Sequence, residues 1–123
     1  MTDPPDKKSK DSNIIKISRS IMRGNPNLFT HPRKFFGFSW HIFVGTQGKN
    51  NCTVYCDKDD AYLWRCKASI TLTATPKDPP NNAVTKTVVY TFQSWKRDKF
   101  AGLRSVRFDN FIDRPWQTIE VEI

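Results

Sequence analysis

The sequence predicts an all-β fold, an antiparallel sandwich, and three observations predict it. Several segments alternate apolar and polar residues with the period of two that gives a strand one buried and one wet face. The stretches between them are rich in Pro, Gly, Asn and Asp, which punctuate strands rather than helices. No segment carries a convincing amphipathic helix, and no repeat of 20 to 50 residues appears.

The cleanest signal is residues 62–73. Trp64, Cys66, Ala68, Ile70 and Leu72 share one parity, while Arg65, Lys67, Ser69, Thr71 and Thr73 share the other. A strand of this length spans about 40 Å and belongs near the middle of a sheet. Earlier in the chain, Ile14, Ile15, Ile17 and Ile21 open the fold as a first strand that Arg19 interrupts, before Gly24-Asn25-Pro26-Asn27 breaks it. Residues 27–37, holding Pro32 and Phe35-Phe36-Gly37, read as an irregular crossing segment. Phe38–Val44 then alternates with Phe38, Trp40, Ile42 and Val44 inward, and Cys52–Cys56 returns as its hairpin partner. Beyond the long strand, the turn-forming run from Thr75 to Asn82 predicts a loop. Val84–Gln93 is a strand with Val88, Tyr90 and Phe92 on one face, Ser94–Asn110 is less regular, and Trp116–Ile123 closes the chain with Ile119, Val121 and Ile123 inward.

The totals bound the function classes. A chain of 123 residues is long enough for one domain and too short for two of ordinary size. Residues 1–13 combine two prolines and six charges with almost no apolar surface, so they read as a flexible tail ahead of a domain at 14–123. No apolar run is long enough for a membrane span and the polar start is no signal peptide, which points to a cytoplasmic or nuclear protein without a membrane partner. Three cysteines, an odd set without paired spacing, agree with a reducing compartment. Cys52 and Cys56 share the parity of Val54 and read as small buried hydrophobes rather than metal ligands. The acidic turn at Asp57–Asp60 lacks the glycine and closing glutamate of a calcium loop, so neither metal nor cofactor is expected.

The net charge of +8 sits on the folded part, because the charges of the first thirteen residues cancel. A basic surface can steer an acidic partner or simply keep the domain soluble. Catalysis is poorly supported. The only histidines are His31, in a Pro-flanked loop, and His41, on the outer face of a strand where a solvated or hydrogen-bonded role is expected; neither has a nucleophile motif or carboxylate pair to work with.

In its order of segments the chain resembles the MATH domain, the meprin and TRAF homology module, and in particular its divergent nematode-like versions. The likeness covers residues 14–123. It rests on Phe38-Ser39-Trp40-His41-Ile42, Cys52-Thr53-Val54-Tyr55-Cys56, Leu63-Trp64-Arg65-Cys66-Lys67-Ala68, Thr91-Phe92, Gly102 with Phe108, and Thr118-Ile119-Glu120-Val121. The resemblance implies a TRAF-C-like sandwich of seven to eight antiparallel strands that holds a short extended peptide of a partner protein in a shallow sheet groove. It also implies an adaptor's place in ubiquitin signalling, beside a cullin ubiquitin ligase or a deubiquitinase.

Carried over residue by residue, the groove falls on Tyr55, Ala68, Tyr90, Trp95, Lys99, Phe100, Leu103 and Arg104. Tyr90 also shares the parity of Val88 and Phe92, which fits a core role equally well. The family's tryptophan-glycine-phenylalanine pattern stands here as Phe100-Ala101-Gly102-Leu103, a departure that weakens the placement of Phe100 and Leu103 in the groove wall. Ala68 occupies a position where relatives carry a large aromatic, which predicts a shallower groove and a different specificity. Lys96, Arg97, Lys99 and Arg104, opposed only by Asp98, predict an acidic or phosphorylated ligand; a solvated loop is the plain alternative. Two other classes compete: a basic nucleic-acid-binding β domain with Trp95 as a stacking surface, which the scattered bases disfavour, and a structural self-associating sandwich.

Overall fold

The computed structural model describes residues 13–58, 63–94 and 104–123. Among these residues nine strands run in the order β1 (Ile14–Ser18), β2 (Asn27–Phe29), β3 (Arg33–Phe35), β4 (Phe38–Gly45), β5 (Asn51–Asp57), β6 (Arg65–Pro76), β7 (Val84–Gln93), β8 (Ser105–Phe108) and β9 (Trp116–Glu122). The one helical piece among the described residues is a 3-10 turn at Arg19–Met22.

The strands form two antiparallel sheets. One has the order β1-β9-β6-β7 and the other β2-β4-β5-β8, with β3 sharing the flank of β4 that β2 also uses. The expected sandwich is therefore the observed fold. Its core is the inward parity of both sheets: Trp40, Ile42 and Val44 on β4, Cys52, Val54 and Cys56 on β5, Ile70, Leu72 and Ala74 on β6, Ile119 and Val121 on β9. All are buried, which is the physical reason the period of two is so clean in these segments.

Some elements differ from the sequence expectation, each for a local reason. β1 ends at Ser18, and the 3-10 turn that follows buries Met22 while leaving Ile21, expected inward, 53% exposed. Residues 27–37, expected to be irregular, hold the two three-residue strands β2 and β3, which take the count to nine. They lie on opposite ends of one flank of β4, β2 against Phe43–Gly45 and β3 against Phe38–Trp40. Between them Pro32 has no N–H to offer a ladder, and Thr30 bridges the gap by bonding Ile42 through both its N–H and its hydroxyl oxygen. β3 then turns into β4 through Phe36-Gly37, both at positive φ (56° and 79°), the geometry of a tight two-residue hairpin. Phe36 takes a conformation that disfavours a side chain, and its ring lies edge-on to Phe35 at 5.6 Å.

β6 begins at Arg65 and continues to Pro76, past the expected loop start at Thr75. It is central, as its length suggested, but unevenly flanked. β7 pairs it from Arg65 to Ala74, whereas β9 pairs it only from Thr71 to Pro76. The first and last strands of the fold lie side by side: β1 pairs β9, Asn13 accepts from the Ile123 N–H, and its side-chain amide donates to the Ile123 carbonyl, both at 3.1 Å.

Candidate functional site

The uneven flanking of β6 creates the most distinctive surface in the described residues. Where β9 accompanies β6, the inward residues Ile70, Leu72 and Ala74 are sealed; toward the other end, Cys66 and Ala68 point the same way and are only half-buried. Ala68 pairs in register with Tyr90 on β7, itself half-buried, and Cys66 pairs with Phe92. The Tyr90 ring meets Phe92 edge-on at 5.0 Å, and Phe92 meets Trp40 of the opposite sheet at 5.5 Å. Tyr90 thus joins the core on one side while staying partly open on the other.

The floor of this region is aromatic. Trp40 is fully buried and donates its indole N–H to the Phe35 carbonyl at 2.9 Å, with the Phe35 ring stacked on it at 5.6 Å. Phe38 lies between Trp40 and Trp64, and the backbone of Trp64 is held by Ser94 through two hydrogen bonds. Lys58 sits over the Phe38 ring at 5.3 Å, a cation at the rim.

β7 supplies a second property. Among the described strands it is the outermost of its sheet and pairs only β6, so over its ten residues about half the main-chain N–H and C=O groups point away from any described strand. Its length corresponds to about 33 Å of edge. Near its start, Val84 and Lys86 join Phe111, Ile112 and Arg114 around a cleft of about 660 Å³, with Asp113 also on the wall. The backbone here is fixed by Asn50, whose side-chain amide donates to the carbonyls of Ile112 and Arg114 and whose own carbonyl accepts from Phe111 N–H.

The structure brings together some of the residues that the sequence singled out. Ala68 and Tyr90 are direct cross-strand partners on the inner face. Arg104 lies apart from them: it belongs to the other sheet, beside β5, its carbonyl accepting from Cys56 N–H at 2.9 Å and its guanidinium 3.4 Å from the Asp57 carboxylate. Both groups of that ion pair are partly exposed, so it is weak. Tyr55 is elsewhere: its ring stacks on His41 at 4.9 Å and on Phe29 at 5.6 Å, on the outer face of the five-stranded sheet. Trp95, Lys99, Phe100 and Leu103, with the rest of the basic segment from Lys96, lie outside the described residues.

The outer-face cluster of Phe29, His41, Phe43 and Tyr55 was not visible in the sequence, because β2 was read as irregular. His41 does face outward, but instead of the expected solvated or hydrogen-bonded role it is half-buried, its ring packed against Phe29 at 4.8 Å and Tyr55 at 4.9 Å, which also stack on each other. Its Nδ1 is buried with no hydrogen-bond partner. Burial holds the imidazole below its ordinary pKa, with the nearby Asp57 carboxylate pulling weakly the other way. No group of three or more His, Cys, Asp or Glu side chains among the described residues could hold a metal ion, and no helix there is long and apolar enough to cross a membrane.

Two antiparallel sheets packed face to face around a buried apolar core define an all-β sandwich domain. The chain matches the model of the MATH domain over residues 15–123, nearly the whole fold, and it belongs to that family. MATH domains are in general modules of protein–protein interaction. A comparison with curated proteins found no match.

Proposed function

We propose that the domain captures a short extended peptide of a partner protein, laid along the free edge of β7 and reaching over Ala68 and Tyr90. The observation that carries this reading is the coincidence of a ten-residue strand edge against which no described strand pairs with a half-buried apolar surface beside it. An added strand satisfies the outward main-chain groups of β7, which gives affinity without sequence choice, while pockets for alternate side chains give the choice. Ala68 leaves room beside Tyr90 for a bulky ligand residue. Lys86 and Arg114, which line the cleft at the start of β7, favour an acidic or phosphorylated peptide, and Arg104 beside β5, held only by a weak surface pair, is a further cation for which a ligand carboxylate or phosphate would compete. In this reading the domain is the substrate-recognition part of a ubiquitin-system adaptor, and the enzymatic step belongs to a ligase or deubiquitinase partner.

The test is a peptide-array screen followed by titration of the best binder into isotopically labelled protein. Amide shifts concentrated on Val84–Gln93 and Ala68 are expected. Tyr90→Ala and Arg104→Ala should each weaken binding by about 1 kcal/mol or more, the scale of a modest hot spot. Shifts confined to Phe29, His41, Phe43 and Tyr55 would move the site to the outer face. Sequence-tolerant oligonucleotide binding that persists at about 200 mM salt would replace the peptide reading with a nucleic-acid one.

A further inference from the structure

Lys86 breaks the pattern of its own strand. The β7 residues in register with Ile70, Leu72 and Ala74 of β6 are Val88, Lys86 and Val84, so Lys86 stands on the inner face between two valines, opposite a fully buried leucine. Alternation calls for an apolar side chain there, and a charge in such a place needs a reason. The cleft of about 660 Å³ beside the start of β7 supplies one. Lys86 and Arg114 are cations on its wall, Val84, Phe111 and Ile112 give it an apolar lining, and Asp113 adds a carboxylate. Neither cation has an ion-pair partner among the described residues.

We propose that this cleft is a binding site for an organic phosphate monoester: Lys86 and Arg114 hold the phosphoryl oxygens, and the ring or chain attached to them lies on Val84, Phe111 and Ile112. The two cations outweigh Asp113, and a guanidinium fork beside an ammonium suits phosphate oxygens through charge-assisted hydrogen bonds. The volume falls in the range of about 300–1,000 Å³ that organic ligands occupy, more than a bare phosphate fills. The walls are fixed before any ligand arrives, which lowers the cost of binding. Arg114 donates from Nη2 to the Pro80 carbonyl at 2.9 Å, which orients the guanidinium and leaves its remaining N–H groups to a ligand. Asn50 anchors the carbonyls of Ile112 and Arg114, and the Asn51 side-chain carbonyl accepts from the Asn110 N–H at 3.0 Å, holding Asn110 in its left-handed conformation.

The site extends the peptide reading without depending on it. The phosphate can belong to a residue of the partner peptide or to a free small molecule, and the cleft's chemistry is the same for both. An inward lysine on an edge strand has one other use, keeping the strand edges of two copies apart, and the experiment separates that use from ligand binding.

The experiment titrates phenyl phosphate into the isotopically labelled full chain and follows amide shifts, with inorganic phosphate and phenol as separate controls. Saturable shifts at Val84, Lys86 and residues 110–114 are expected, with half-saturation below about 10 mM. Inorganic phosphate should bind about tenfold more weakly, for want of the apolar contact, and phenol should leave these amides unmoved. Lys86→Gln, at an exposed position, should weaken phenyl phosphate by about fivefold or more, and Arg114→Lys, which keeps the charge but loses the fork, by less. A phosphorylated array peptide displaced by phenyl phosphate would assign the phosphate to the partner. Phenyl phosphate that binds and displaces no peptide would assign it to a small molecule, and either result supports the site. If no array peptide binds at all, the peptide reading fails while this titration still decides the cleft. Absence of saturable shifts would overturn the proposal, and so would equal binding of inorganic phosphate, meaning an adventitious ion only. Binding unchanged in Lys86→Gln would overturn it too, and dimerisation of that variant in analytical ultracentrifugation would then give Lys86 to guarding the edge.

Discussion

Ala68→Phe separates a groove from a closed core by moving stability and affinity in opposite directions. Ala68 is half-buried on the inner face of β6, paired in register with Tyr90. Cross-strand partners hold their Cβ atoms about 4.5–5.5 Å apart, so a phenylalanine ring at 68 lies against the tyrosine. A fully enclosed Phe buries about 150–250 Å²; half of that at about 25 cal/mol per Å² gives roughly 2–3 kcal/mol. Rotamer entropy removes about 0.5–1 kcal/mol of it, leaving a net stabilisation of about 1–2 kcal/mol, readable as an increased urea midpoint. The same ring fills the room proposed for a ligand residue, so affinity for the best array peptide, measured by fluorescence anisotropy, should fall about tenfold, or about 1.4 kcal/mol. A stability loss above about 1 kcal/mol would mean that position 68 is already packed. Affinity unchanged within about twofold would mean that the peptide does not cross β6.

Two further outcomes test the fold around the site. Trp40→Phe removes the indole N–H that satisfies the Phe35 carbonyl and opens a gap against Phe92; a loss of about 2–4 kcal/mol in urea unfolding is expected, with faster amide exchange in Arg33–Phe35. His41 titrates below its ordinary value in the fold because of burial, so the unfolded chain binds the proton more readily. Stability contributed by the neutral imidazole is thus complete above the unfolded pKa of about 6.5 and is lost as pH falls below it toward the lower folded value. Thermal melts from pH 7.5 to 5 should show Tm falling with acid more steeply in the natural protein than in His41→Phe.

How much of this was legible in the sequence depended on whether a residue's environment is set by its own strand. β4, β6, β7 and β9 were readable because Trp40, Ile42, Ile70, Leu72, Phe92, Ile119 and Val121 repeat at two and are sealed on one side. β2 and β3 were not, since three residues carry too little periodicity and Pro32 sits between them. Ile21 misled because chain direction changes at the 3-10 turn, which gives the inward place to Met22. At the site, the alternation put Ala68 and Tyr90 on inner faces, but their pairing is a register between strands, and local pattern does not encode it. The separation of Tyr55 from that pair, and its stacking with His41 and Phe29, likewise follow from which strands became neighbours.

The junction of β1 with β9 sets how such a domain is wired into larger assemblies. Asn13 and Ile123 hold each other at the sheet edge opposite β7. Whatever sequence is fused before or after the fold leaves from a single corner, like a plug with both leads on one side, and neither lead has to cross the proposed docking edge. Tension applied through the two leads would peel β1 from β9 one rung at a time from Ile14 and Glu122, and β6, bonded to the other side of β9, stands between that seam and β7. A reader mounted in this way can be pulled, tethered or multiplied in an array with its recognition edge undisturbed.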